Sequence, residues 1–230
     1  MIDETDYKTF IYISKNRYQI FVYDKDSSKS LYNEEIKIIE DINLNNFSKF
    51  LDENIYKIEK KVNYFIRNII LIIDDDEVLN VGISIKKKYY EKQTDQKYLE
   101  NSLIEVKDIF RENYQDQILM HMVIVNNETN EKLLLKNEDI KVDYLYLEVN
   151  LICISNSFTH IFDKLLENHQ IKIGQYMSGS YIKSFFGKDI TEFSLMANKL
   201  NNGLNKNEVQ LVSKNIENKG FFEKFFQLFS

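Results

Sequence analysis

The sequence predicts a mixed α/β protein in which a small subdomain is inserted into a larger one. Short β-rich runs alternate with amphipathic segments along the chain. The run "NIILIID" at 68–74 is continuously apolar, the pattern of a strand buried on both faces. A further series of one strand, one helix and three strands spans about 80 residues, the size of a small subdomain.

The first part of the larger unit contains three predicted strands and a helix. "KTFIYI" at 8–13 and "YQIFVY" at 18–23 are joined by "SKNR", which predicts a hairpin. "EEIKIIE" at 34–40 is a third strand candidate. From Leu44 to Phe65, apolar residues recur at spacings of three and four, so this segment is predicted to be an amphipathic helix capped by the preceding asparagines.

The inserted subdomain is predicted at 79–158 with the order β-α-β-β-β. "VLNVGISIKKKYYEK" alternates like a half-exposed strand, and "QKYLENSLIEVKDIFREN" is an amphipathic helix. Three strands follow in "QILMHMVIVNN", "EKLLLKN" and "DYLYLEVNLICIS". The larger unit, begun at 1–78, then returns at 159–186 with a helix in "SFTHIFDKLLENHQ" and a strand in "IKIGQYM".

The last part of the chain changes in character. Residues 187–219 are polar, rich in asparagine and only weakly helical, which favours a linker with one or two marginal helices. Residues 220–230, "GFFEKFFQLFS", form a separate amphipathic segment. At about 100° per residue, its large apolar side chains fall on one side of a helix that is too short to span a membrane. These side chains are Phe221, Phe222, Phe225, Phe226, Leu228 and Phe229.

Composition narrows the class of protein. The chain has 230 residues, of which 43% are hydrophobic and 29% charged, as in ordinary globular proteins. A net charge of -6 argues against a general nucleic-acid binder. The single Cys153 excludes an intramolecular disulfide framework and is typical of a reducing compartment. We find no signal peptide and no apolar run long enough to span a membrane, so we expect a cytoplasmic protein.

The densest group of carboxylates is Asp74-Asp75-Asp76-Glu77. Successive carboxylates can hold Mg²⁺ or Ca²⁺, but no glycine-containing loop of alternating ligands follows. The sequence therefore favours a solvated turn between two strands.

No other group of residues predicts catalysis. GxSxG, GxxxxGK[ST] and GxGxxG are all absent, and the histidines lack metal-ligand spacing. Cys153 lies in an apolar strand, which predicts a buried thiol, and "MSGSY" predicts a small-residue turn before a helix. We expect no catalytic residue, metal site or cofactor. The residues for which we expect structural roles are His121, His160, His169, Cys153, Ser178, Gly179 and Ser180.

The order of these elements resembles the first half of FtsA, an actin-like bacterial division protein. Local phrases over roughly residues 8–186 are similar: "NVGISIKKKYY", "DQILMHMVIVNN", "YLEVNLICISNSFTHIFDKLLENHQIKI" and "YMSGSYIKSF". The resemblance implies an actin-like (ribonuclease H-like) subdomain 1A interrupted by a small subdomain 1C. It also implies that the tail is a membrane-binding helix on the inner face of the cytoplasmic membrane.

The departures from that family concern nucleotide binding. Its phosphate-binding hairpin reads approximately D-I-G-T-S-K, with small residues that let backbone N–H groups approach the phosphates. Here the matching stretch is 12–17, with Tyr12 at the acidic position and Ser14 at the glycine position. The second loop, D-x-G-G-G-T, does not follow in this sequence, so the resemblance implies that subdomains 2A and 2B are lacking. The resemblance thus implies a shortened relative without ATPase activity.

The function expected from this resemblance is a division scaffold tethered to the membrane. Its implied partners are FtsZ-, FtsN- or FtsA-like proteins, with self-association possible; because the FtsZ tail docks on 2B in the family, that contact is in doubt. Two other functions stay open: an actin-like ATPase with degenerate phosphate loops, and a pilus-assembly adaptor of the PilM group. For the tail, docking on the protein's own core or in a partner's groove are the alternatives.

Overall fold

A computed structural model describes residues 6–38, 44–89, 95–130, 143–187 and 192–209. Its elements are β1 (Tyr7–Ser14), β2 (Arg17–Asp24), β3 (Ser30–Lys37), α1 (Leu44–Val62), β4 (Asn68–Asp74), β5 (Val78–Tyr89), α2 (Asp95–Asn113), β6 (Gln117–Asn130), β7 (Asp143–Ser155), α3 (Asn156–Glu167), β8 (Lys172–Ser178), α4 (Gly179–Phe186) and α5 (Phe193–Asn201). The described residues divide into two compact units, one drawn from 6–79 with 154–204 and the other from 80–153 with 205–209.

The first unit contains a five-stranded sheet in the order β3-β2-β1-β4-β8. β1, β2 and β3 form an antiparallel meander, and β1, β4 and β8 run parallel. This combination of order and direction defines the ribonuclease H-like half of an actin-like fold. The predicted fold class is therefore confirmed.

Helices cover both faces of this sheet because β1 and β2 are apolar on both sides. On one face, α1 and α3 pack through aromatic contacts, with the Phe47 ring 5.1 Å from Tyr18 and 5.9 Å from Phe162. On the other face, α4 and α5 bury a second cluster against β1, β2, β4 and β8. Its buried members are Phe10, Tyr12, Phe21, Tyr23, Ile72, Met177, Ile182, Phe193, Met196, Ala197 and Leu200.

The second unit contains a three-stranded sheet in the order β5-β7-β6 with α2 packed in its core. Residues 207–209 pair with β6, since the Ile124 N–H donates to the Asn207 carbonyl over 2.9 Å and the Val209 N–H donates to the Met122 carbonyl over 2.8 Å. His121, 1% exposed, lies with Nδ1 2.6 Å from Oε1 of Glu208. These contacts attach 207–209 to the edge of β6.

Four of the five elements predicted for the inserted segment lie within the described residues and follow the predicted order. β5, α2, β6 and β7 follow one another as expected. The predicted strand "EKLLLKN" lies outside the described residues, as does the tail at 220–230. β3 begins four residues earlier than predicted because its register is set by pairing with β2, from Tyr23 opposite Ser30 to Arg17 opposite Lys37.

The segment 187–219, predicted as a linker with one or two marginal helices, contains a helix that packs on the first sheet. Residues 193–201 form α5, in which Phe193, Met196, Ala197 and Leu200 are buried. These four follow the three- and four-residue spacing of an amphipathic helix. The asparagines and lysines around them give the segment a polar composition. A short apolar stripe is nevertheless enough for a helix to pack on a sheet.

Candidate functional site

The candidate site lies at the carboxyl edge of the parallel strands of the first sheet. Pairing places Ser14 of β1 beside Asp74 of β4, and Ile73 of β4 beside Ser178 of β8. The β1–β2 hairpin and the start of α4 meet at this edge, because parallel strands end on the same side. Ser178 caps α4 by accepting a hydrogen bond from the Tyr181 N–H over 3.2 Å.

Tyr12 and Lys183 converge on one carboxylate at this edge. The Tyr12 hydroxyl donates to Oδ2 of Asp74 over 2.7 Å, and the Lys183 ammonium bonds to the same oxygen. Burial by itself would lower the pKa of Lys183, but the hydrogen bonds and charges of Asp74 and Tyr12 outweigh it and raise that pKa. The charged form of Lys183 is therefore the stable one at neutral pH.

Gly179 is needed because the side chains of β1 and β4 approach its backbone. A Cβ on this residue would lie 2.6 Å from Cβ of Asp74 and 3.0 Å from a ring carbon of Tyr12. Real Cβ atoms do not tolerate such distances, so the glycine lets Tyr12 and Asp74 fill the space in front of α4.

An aromatic ring and a guanidinium enclose Tyr12 from the other directions. The Phe193 ring, from α5, lies 4.4 Å from the Tyr12 ring at 52°. Cζ of Arg17 is 4.9 Å from the Tyr12 ring centroid and 5.5 Å from that of Phe193. Tyr12 is consequently only 1% exposed. We call this group the Tyr12 cluster: Tyr12, Arg17, Asp74, Lys183 and Phe193.

The hairpin beside the cluster is held by its own polar groups. The Ser14 hydroxyl donates to Oδ1 of Asn16 over 3.0 Å and contacts the Arg17 carbonyl at 3.2 Å. Lys15 forms an ion pair with Asp76 at 2.5 Å. These polar groups of the hairpin therefore bind side chains and backbone of the same chain.

The carboxylate run at 74–77 is confirmed as a turn between β4 and β5. Its members diverge, because Asp74 binds Tyr12, Asp76 binds Lys15, and Asp75 accepts from the Glu77 N–H over 3.1 Å. Within the described residues there is no group of three potential metal ligands.

The other candidate residues have structural surroundings. Cys153 is buried in β7, and burial raises the pKa of its thiol. His121 is buried beside Glu208, His169 Nε2 lies 3.4 Å from Asp52, and His160 is exposed on α3. The structure does not bring these groups together.

Arg17, Lys183 and Phe193 are the site residues that sequence reasoning missed. Arg17 was identified only as the last position of a phosphate-loop match, and Phe193 lay in the predicted linker. One signal was available for Lys183, since it stands one helical turn after the "SGS" segment that begins α4. Nothing local indicated that its partner would be Asp74, 109 residues earlier.

The predicted membrane-binding side chains Phe221, Phe222, Phe225, Phe226, Leu228 and Phe229 lie outside the described residues. Among the helices of the described part, none is long and apolar enough to cross a membrane.

The fold is that of an actin-like half-domain, and Tyr12, Asp74 and Lys183 meet at the carboxyl edge of its parallel strands. No family model and no curated protein matches the sequence. Solved structures with similarity include a PilM–PilN type IV pilus biogenesis complex, at 7% identity and a TM-score of 0.45, over 77% of this chain and 49% of that one.

Two further structures show lower scores. The cytoplasmic domain of EpsL, an inner-membrane component of the type II secretion system of Vibrio cholerae, has 7% identity and a TM-score of 0.39, over 76% of this chain and 58% of that one. A Bacteroides thetaiotaomicron protein of unknown function with an actin-like ATPase fold has 16% identity and a TM-score of 0.31, over 80% and 58%. The chain thus spans about half the length of these structures.

Proposed function

We propose that this protein is a non-catalytic, FtsA-like scaffold that tethers division proteins to the inner face of the cytoplasmic membrane. The observation that carries the non-catalytic part is the Tyr12 cluster. In actin-like proteins the β1–β2 hairpin presents backbone N–H groups to the phosphates of a nucleotide. Here a buried phenol ring and the Asp74 carboxylate stand at that edge, with Phe193 against the ring.

Nucleotide binding at this edge would require several unfavourable changes. A phosphate would have to displace Tyr12 from contacts with Asp74 and Phe193, and it would approach a carboxylate of the same charge sign. The lysine that could offset that charge already binds Asp74. Displacing Tyr12 would also remove a hydrogen-bond donor from the largely buried Asp74 carboxylate, at about 1–3 kcal/mol.

Titration of the purified full chain with Mg-ATP and Mg-ADP tests this part of the proposal. We expect no saturable heat at nucleotide concentrations up to about 1 mM, which corresponds to about -4 kcal/mol of binding free energy. An active actin-like ATPase under the same conditions is the positive control. Saturable binding that is lost on Lys15→Ala, or measurable ATP turnover, would revive the ATPase with degenerate loops.

The tether is supported by the amphipathic pattern of residues 220–230. Each fully buried side chain of this kind contributes about 1.5–3 kcal/mol, although partial burial at an interface and helix ordering reduce the sum. A single copy therefore binds reversibly, and several copies on one assembly give stable attachment.

Localisation of a fluorescent fusion of the full chain in dividing cells tests the division role. We expect a band at the division site that is lost when the partner division proteins are depleted. Accumulation at sites of pilus assembly would instead favour the PilM-like adaptor. A uniform membrane signal through the whole cell cycle would contradict both roles while leaving the tether intact.

A further inference from the structure

The carboxyl end of α1 carries an exposed surface that combines aromatic and basic side chains. Tyr56 is 69% exposed and Phe65 67%, the two largest exposed fractions of any large apolar side chain in the described part of the chain. Tyr64 is exposed as well. Large aromatic groups in water are unusual on a protein of ordinary core composition and mark an interaction surface when they cluster.

Basic residues surround these rings. Between 56 and 67 the chain has four basic residues and one acidic residue, whereas the whole molecule has a net charge of -6. Lys57, Lys60 and Arg67 are exposed, and in the described residues neither Lys57 nor Lys60 belongs to an ion pair. Tyr56 and Lys60 are four residues apart and therefore share one side of α1.

The end of α1 sets the positions of Tyr64 and Phe65. Asn63 has a φ of 54°, the left-handed conformation that ends many helices, and the Tyr64 N–H bonds back to the Glu59 carbonyl over 3.3 Å. Ile66 then turns inward, 7% exposed, so Phe65 is directed out. Cζ of Arg67 lies 5.8 Å from the Phe65 ring centroid.

The single acidic side chain in this stretch is turned toward its own backbone. Oε1 of Glu59 accepts a hydrogen bond from the Ile66 N–H over 3.0 Å. The next acidic residues, Asp52 and Glu53, lie a turn earlier on α1, and Asp52 is 3.4 Å from His169. The stretch from Tyr56 to Arg67 therefore presents rings and a surplus of basic side chains to solvent, and its one carboxylate, on Glu59, bonds to the Ile66 N–H.

We propose that this basic aromatic patch, formed by Tyr56, Lys57, Lys60, Tyr64, Phe65 and Arg67, is a second membrane-contact surface that binds anionic lipid headgroups. This proposal rests on the proposed membrane tether and adds a second membrane contact, located on the folded first unit. Two weak contacts on one chain raise the effective concentration of each at the membrane, so attachment becomes much stronger than either contact gives alone.

The chemistry of the patch favours a lipid surface over other partners. Tyr and Phe rings lie readily at the headgroup level, and long lysines keep their ammonium groups at the phosphates while their stems cover apolar surface. A purely solvated helix face would carry the lysines without the two most exposed rings of the described chain. Each lysine near an anionic leaflet contributes a factor of about five in binding.

Sedimentation of the full chain with vesicles tests this proposal. Vesicles of phosphatidylcholine alone are compared with vesicles of equal parts phosphatidylcholine and phosphatidylglycerol. We expect K57Q/K60Q to lower the binding constant on anionic vesicles by about 25-fold at low salt, with little change on neutral ones. We expect Y56S/F65S to lower binding on both.

The matched controls lie at the opposite end of α1 and on β3. K37Q/K49Q removes the same charge, and I36S/L44S removes exposed apolar side chains that are 47% and 38% exposed. Both should leave vesicle binding unchanged. Circular dichroism and thermal unfolding establish that every variant is folded.

The tail variant F225D/F226D separates this proposal from the tether. If only the tail variant loses binding, the patch proposal is overturned and the tether stands; if only the patch variants lose it, the tether fails and the patch stands. If no protein sediments with either kind of vesicle, both are overturned. K57Q/K60Q could also leave vesicle binding unchanged and lose an acidic protein that co-purifies with the wild type. That result would overturn the lipid proposal and indicate that the patch binds a protein.

Discussion

Tyr12 lies buried at the carboxyl edge of the parallel strands, and its contacts connect the residues that meet there. Its ring packs on Phe193 and its hydroxyl binds Asp74, which in turn binds Lys183. Each of these groups therefore has a partner within the edge itself. Gly179 makes this arrangement possible because it leaves room for Asp74 and Tyr12.

We predict that Gly179→Ala lowers the free energy of unfolding by about 1–3 kcal/mol, because the added methyl group would lie 2.6 Å from Cβ of Asp74. Gly174→Ala is the control, since a Cβ there meets its nearest atom at 3.6 Å. Urea unfolding of both variants gives the comparison. Equal stability of the two would mean that Tyr12 and Asp74 do not pack against α4.

Lys183 gives a prediction of pH dependence. Its pKa is raised above the ordinary 10.5 in the folded protein, so its stabilising contribution is complete below pH 10.5 and is lost as the pH rises through the higher folded value. Because the side chain is half exposed, we expect Lys183→Met to cost only about 0.5–1 kcal/mol at neutral pH.

The stability difference between the wild type and Lys183→Met should shrink above pH 10.5, as followed by urea unfolding at a series of alkaline pH values. Lys199→Met, which removes an exposed lysine from α5, is the control for net charge. A difference that grows toward alkaline pH would contradict the ion pair with Asp74.

At the scale of elements, α5 is the feature that completes the first unit. It covers the face of the sheet that holds Tyr12, and polar contacts fix its ends: the Tyr23 hydroxyl lies 3.2 Å from Oγ of Ser194, and the Lys8 ammonium donates to Oδ1 of Asn201 over 2.8 Å. A segment that was predicted to be a linker is therefore part of the core of this unit.

We predict that Leu200→Ala lowers the free energy of unfolding by about 2–5 kcal/mol, because Leu200 is 2% exposed within the cluster on this face. Leu204→Ala, four residues later and 48% exposed, should change it by less than about 0.5 kcal/mol. Thermal or urea unfolding measures both. Similar small effects at the two positions would restore the interpretation of this segment as a linker.

At the scale of the whole molecule, the chain combines two folded units with an aromatic C-terminal segment. We predict that F225D/F226D reduces binding of the full chain to anionic vesicles by about a hundredfold, because two apolar side chains are replaced by carboxylates. The unfolding midpoint without vesicles should stay unchanged. A lower midpoint would instead indicate that the tail docks on the protein's own core.

How far the sequence predicts this molecule depends on the range of the interactions. The hairpin, α1, β4, α2, α3 and β8 could be predicted because periodicity and turn residues act within a few positions. The bounds of β3 and the docking of α5 could not, since they depend on partners elsewhere in the chain. The site depends on distant partners in the same way. The turn "SKNR" predicts a hairpin, but it does not predict which side chains of β4, α4 and α5 pack against that hairpin.

The sequence by itself determined the order of elements, the mixed α/β class, the buried Cys153 and the turn at 74–77. Local propensity and the apolar pattern are sufficient for these features. The tertiary structure alone decided that Tyr12, Asp74, Lys183 and Phe193 meet, and that Tyr56 and Phe65 remain in water. Such outcomes depend on strand register and on which helix covers which face, and these are properties of the assembled sheet.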